Sequence, residues 1–125
     1  MAFPKSVWAA VRDVGAVHLR LTPRVVVDTR LDGDARVVTF ANGMVVRELI
    51  VNLDDDVCRF AYASVGGRAT HHNASIQVFA DGEDRTRLVW ITDVLPNELV
   101  TPIRALMEQG AADMKQTLER EASRG

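Results

Sequence analysis

The sequence predicts an α+β domain in which a six-strand antiparallel meander is followed by one long amphipathic helix. Between Arg24 and Val94 the chain consists of β-branched runs interrupted by turn residues at LDGDA, ANG, LDDDV, GGR and ADGED. Those connections are too short for the crossovers of about a dozen residues that parallel neighbours need, so successive strands must pair antiparallel. After Pro96 the apolar period lengthens, with Leu99, Ile103, Leu106, Met107, Gly110, Met114 and Leu118 recurring at spacings of three and four.

The first element is a short helix in PKSVWAAVRDVG. Proline is tolerated at a first helical turn, Val7, Trp8, Val11 and Val14 share a face, and Gly15 can end it. A second helical turn is expected over Val17–Leu21, before Pro23. The strands are expected at 24–31, 35–41, 44–53, 57–65, 70–80 and 86–95. A short turn over Asn97–Val100 precedes the main helix, expected from Pro102 to Glu121 with Thr101 as its N-cap. The polar tail EREASRG is expected to fray.

The 125 residues make one domain, 1–125, large enough for a single core. Fifteen Lys plus Arg stand against 17 Asp plus Glu, a net charge of −2, which gives no electrostatic footprint for nucleic acid or an anionic membrane. The lone cysteine, Cys58, excludes an internal disulfide and fits a reduced, cytoplasmic setting. It alternates with Phe60 and Tyr62 and reads as a buried, inert thiol. MAFPKSVWAA lacks a basic segment followed by an apolar one, and no run approaches the roughly 18 apolar residues of a membrane span, so membrane insertion is not expected.

THHNASIQVF opens a strand with two adjacent histidines, and successive strand side chains point to opposite faces, so only one of His71 and His72 can look inward. Turn geometry decides which. A two-residue Asn42-Gly43 turn would set Arg36 opposite Leu49 and bring two arginines onto one face. A three-residue Ala41-Asn42-Gly43 loop sets Arg36 opposite Glu48, Val38 opposite Val46 and Phe40 opposite Met44, which matches charge with charge and is preferred. A three-residue loop over Asp54–Asp56 then pairs Glu48 with Tyr62, and a five-residue loop over Val65–Ala69 pairs Tyr62 with His72. The expected outcome is a row Arg36, Glu48, Tyr62, His72, with His72 inward and His71 outward.

Such a row has two readings: a satisfied polar band in which Arg36 neutralises Glu48, or the polar end of an apolar ligand cavity. A metal held by the two histidines is not expected, since no third ligand stands at a suitable spacing, and no cofactor is expected. ADGED reads as a turn and not a calcium loop. Trp8 and Trp90 read as core or cavity wall.

The segments PKSVWAAVRDVG, ANGMVVRELIVNLDDD, AYASVGG and VWITDVLPNEL, in this order of elements, resemble the START-like helix-grip (SRPBCC) superfamily, nearest its polyketide cyclase/dehydrase and lipid-transport family. The resemblance covers nearly the whole chain. It implies a curved antiparallel sheet gripping the long helix around a hydrophobic cavity, with Glu48, Tyr62, His72 and Trp90 facing it. Val38, Phe40, Leu106 and Met107 are expected to complete the wall, and Gly110, Ala111 and Ala112 to leave room. The expected function is binding of a small apolar or aromatic ligand, lipid or polyketide-like. The alternatives are a cyclase or dehydratase, in which His72 or Glu48 removes a proton and Tyr62 or Arg36 stabilises an oxyanion, and an interaction module with a vestigial cavity. The loop that closes over hormone in the plant receptor branch is reduced to ANG, so hormone sensing is not expected.

Members of the family usually begin with a strand, whereas only Met1, Ala2 and Phe3 precede Pro4 here. Loss of that strand, or a true start upstream, would leave two sheet edges open. A homodimer joined through one of them, or through an exchanged segment, is expected, since VVVDT at 25–29 lacks the lysines and prolines that blunt an edge.

Overall fold

Proline at its first position and a buried stripe of Val7, Trp8 and Val11 define helix α1, Pro4–Arg12, in the computed structural model, which describes residues 3–66, 69–82 and 85–124. The helix stops before Gly15. That glycine serves a close approach instead, because a Cβ there would lie 3.0 Å from Leu31 Cγ. Helix α2 covers Val17–Arg20.

Six strands follow: β1 Val26–Asp32, β2 Ala35–Phe40, β3 Val45–Asp54, β4 Arg59–Val65, β5 His71–Ala80 and β6 Thr86–Leu95. Each lies within two residues of its predicted bounds. They form one sheet in the order β1-β2-β3-β4-β5-β6 with every neighbouring pair antiparallel. A 3-10 turn at Asn97–Leu99 then leads into α3, Val100–Arg124. This helix begins two residues before the expected Pro102, so Thr101 is not its N-cap. Pro102 is accommodated because an amide in the first turn has no intrahelical acceptor to lose. The core lies between the sheet, α1 and α3, around Val11, Val38, Phe60, Ile76 and Met114.

The three-residue ANG loop is present. The Phe40 amide bonds the Met44 carbonyl at 2.8 Å, Gly43 takes φ +92°, and Arg36 lies opposite Glu48. The next two hairpins differ from expectation. The Asp54 carboxylate accepts from the amides of Asp56 and Val57, and Cys58 adopts φ +55°, so the turn takes four residues and Asp54 pairs with Arg59. Cys58 is therefore a half-buried turn residue, not a strand position. A bulge at Val51 absorbs one residue. Ile50, not Glu48, then lies opposite Tyr62, and Glu48 faces Ser64. On the other side Tyr62 pairs with Ala74 instead of His72, and continuing that register sets Ser64 level with His72. Gly67 and Arg68 of the expected GGR loop, and Glu83 and Asp84 of ADGED, lie outside the described residues. Beyond the bulge both slips amount to two residues, an even number, so the cavity-facing side chains keep their predicted face; between the bulge and the turn the slip is three, and Leu53, expected to point outward with Val57, lies opposite Phe60 and packs against the core.

Candidate functional site

Between the sheet and α3 lies a cavity of about 90 Å³. All nine residues expected on its wall are there: Arg36, Val38, Phe40, Glu48, Tyr62, His72, Trp90, Leu106 and Met107. The polar row across it reads Arg36, Glu48, Ser64, His72, with Tyr62 one step along the same face. Ser64 and Thr22 also line the cavity and were not foreseen. The signal for Ser64 was its spacing of two from Tyr62, masked by the misjudged turn; Thr22 sits between α2 and β1, where no periodicity exists to place it.

Arg36 Nε donates to Glu48 Oε1 at 2.7 Å, and the two side chains are only 5% and 9% exposed. Its Nη1 donates to the Val14 carbonyl at 3.3 Å. The guanidinium stands 5.0 Å from the Phe60 ring centroid and 5.1 Å from that of Tyr62, so the charge is compensated by a carboxylate, a carbonyl and two aromatic faces. The Tyr62 hydroxyl accepts from Trp90 Nε1 at 3.1 Å. Burial first, and the Glu48 carboxylate second, push its pKa well above the ordinary tyrosine range, so it stays a neutral hydroxyl able to donate. His72 is half-buried. Desolvation holds its pKa below the usual histidine value against the opposing pull of Glu48, which keeps the ring neutral at pH 7. Thr22 Oγ1 is buried and finds no hydrogen-bond partner among the described residues. His71 is exposed on the opposite face, and among the described residues no cluster of three metal-ligating side chains occurs.

A second space adjoins this one. An open groove of about 1360 Å³ runs between β6 and α3. Trp90 belongs to both walls, and its indole lies against Gly110, where an added Cβ would come within 3.2 Å of the ring. The bulk that Gly110 lacks is thus supplied by Trp90, which together with Thr92, Ile103, Met107 and Met114 stands between cavity and groove. Ala111 and Ala112 are exposed, so they do not enlarge the inner space as expected.

No curated protein matches the sequence. Among solved structures, an uncharacterised protein of Bacillus thuringiensis superposes with a TM-score of 0.81 at 16% identity, over 94% of this chain and 91% of that one. XoxI of Bacillus cereus gives 0.80 at 20% identity, over 94% and 88%. Norcoclaurine synthase of Thalictrum flavum, solved with dopamine and hydroxybenzaldehyde, gives 0.63 at 21% identity, over 94% and 81%. These likenesses establish the helix-grip fold. The model of the polyketide cyclase/dehydrase and lipid transport family matches residues 1–124, and this chain belongs to that family.

Proposed function

We propose that this protein binds a small apolar or aromatic ligand, with its polar end among Arg36, Glu48, Tyr62, Ser64 and His72. The observation that carries this reading is chemical. A mostly apolar cavity receives a neutral tyrosine hydroxyl, a neutral histidine and the unpartnered hydroxyl of Thr22, all able to bond a guest. A buried hydroxyl left without a partner costs roughly 1–3 kcal/mol, which a ligand or water at that position recovers.

Size limits the guest. At about 90 Å³ the inner cavity takes only a head group, since pockets for whole drug-sized ligands run to roughly 300–1,000 Å³. The apolar remainder would extend past Trp90 into the groove. Mass spectrometry of material co-purifying with the native protein, followed by titration of fatty acids, flavonoids and aromatic aldehydes under tryptophan fluorescence, tests this. Micromolar binding is expected, weakened about tenfold by Tyr62→Phe for ligands bearing a carbonyl or hydroxyl head. An empty protein that binds nothing across such a panel would overturn the proposal.

Neutral His72 beside the cavity also favours a second reading, proton abstraction α to a carbonyl, with Tyr62 donating to the developing oxyanion. Glu48 is less suited to be the base because Arg36 already engages it. Exchange of the ligand's α-hydrogen for deuterium, lost in His72→Ala while binding persists, would support catalysis; no exchange would leave a binder alone.

A further inference from the structure

The outer edge of β6 meets no strand among the described residues. The bond from the Asp81 amide to the Arg85 carbonyl sets the ladder's phase: odd-numbered β6 residues turn their amides and carbonyls to β5, and Leu88, Trp90 and Thr92 turn theirs outward. Neither lysine nor proline blunts this strand, and Ile91, 55% exposed, shows apolar surface on its outer face.

We propose that a second copy of this chain pairs with β6 antiparallel, about a two-fold axis through Trp90. In that register Leu88 and Thr92 exchange backbone bonds with Thr92 and Leu88 of the second copy, as do the two Trp90 residues with each other. Arg87 then stands opposite Asp93 and Val89 opposite Ile91, each pair occurring twice. Sliding the copy by one step in either direction sets Arg87 against Ile91 or Leu95, so charge selects this register. Arg87 rests 4.7 Å from the Phe79 ring centroid, which keeps its side chain on the outer face with Ile91 and Asp93.

An independent feature agrees. Trp90 packs on Gly110, so the same axis passes α3 near Ala111, and the two α3 helices flank it running antiparallel. The groove-facing charges of α3 are Arg104, Glu108, Lys115 and Glu119. Reversal about the point between Ala111 and Ala112, within half a turn of the Trp90 contact at Gly110, brings Glu108 level with Lys115 of the second copy, and Arg104 level with Glu119. Strand edge and helix rim are thus self-complementary about one axis. The groove between them would be closed by the second copy, whether or not the inner cavity takes a ligand.

Sedimentation velocity across the micromolar range should show a species of twice the 13.8 kDa chain mass. Arg87→Asp alone and Asp93→Arg alone each set like charges opposite one another and should raise the dimer dissociation constant at least about tenfold, whereas the double swap should restore it. Thr92→Pro removes an outward amide without touching the β5 ladder and should give a folded monomer by circular dichroism. A wild-type monomer, with the edge left open or taken by some other strand, would overturn the proposal. So would a dimer indifferent to Arg87→Asp and Thr92→Pro, or a double swap that fails to restore association.

Discussion

Arg36 illustrates how a charge persists inside an apolar wall. Its head is met on one side by Glu48 and on its faces by Phe60 and Tyr62, so water is replaced partner for partner. Removing Arg36 strands the carboxylate, and removing Glu48 strands the guanidinium; each single replacement by an apolar residue should cost roughly 3–5 kcal/mol. The double replacement should cost clearly less than their sum in urea denaturation, because no unpaired charge remains. Strict additivity would mean the pair carries no coupling. At Gly110 two effects oppose. An alanine gains about 1 kcal/mol of helix propensity, but its methyl would press on Trp90 at 3.2 Å, and overpacking costs roughly 1–3 kcal/mol. Gly110→Ala should therefore change stability by no more than about 2 kcal/mol while shifting tryptophan emission, as the indole leaves Tyr62. An unchanged spectrum would show that Trp90 tolerates the methyl and does not help to divide cavity from groove.

At the scale of elements, α3 is held by a carboxylate that sequence reading passed over. Asp113, buried on α3, accepts from the Arg24 amide at 2.7 Å and the Val25 amide at 3.2 Å, and Thr117 Oγ1 donates to it at 3.4 Å. It ties the helix to the chain entering β1. Asp113→Ala leaves two amides without acceptors and should cost about 3 kcal/mol, with Asp113→Asn, which keeps one acceptor oxygen, costing about half. Thermal melts of the two variants decide it: equal losses would mean that charge, not bonding, matters there. Asp113 was hidden because nothing in a polar helical position announces a backbone partner 88 residues away in the chain. The strands were legible for the opposite reason, since β-branched runs and turn residues mark each one locally. The ANG hairpin could be read because only one register matched Arg36 with Glu48. The Asp54 turn could not, because the side-chain acceptance that lengthens it and the bulge at Val51 leave no mark in the alternation of residues.

For the whole molecule, the faces that line the cavity were legible, whereas the register was legible only at the ANG hairpin. At the cavity each of the two misjudged hairpins is displaced by a net even count, the bulge at Val51 having reduced a slip of three to two, so the wall kept its nine expected members although Ser64 took Tyr62's place in the row. The groove was not foreseen, since it depends on how far α3 stands from β6, a distance no local pattern encodes. Ionisable groups spread over the fold give one further expectation for the molecule as a whole. Asp55, bonded first by Arg12 and then by Trp8, and Asp32, bonded by Arg47, titrate below the ordinary carboxylate value of 3.8. His72 titrates below 6.5 through desolvation. For all three the unfolded chain binds protons more readily, so their stabilisation is present above those ordinary values and is lost as pH falls through the folded ones. Tyr62 is the reverse: burial raises it above the ordinary 10.0, so the unfolded chain releases its proton first and stability is lost as pH rises beyond that value. Melting temperature should hold a plateau between about pH 6.5 and 10, with a first decline below it from His72, a steeper one below about pH 4 from the two aspartates, and an alkaline decline from Tyr62. His72→Asn should remove the first step and Tyr62→Phe the alkaline one, each leaving the other arms in place. Melts recorded from pH 3 to 11 on the three proteins check this, and an alkaline arm that survives Tyr62→Phe would place its cause elsewhere in the molecule.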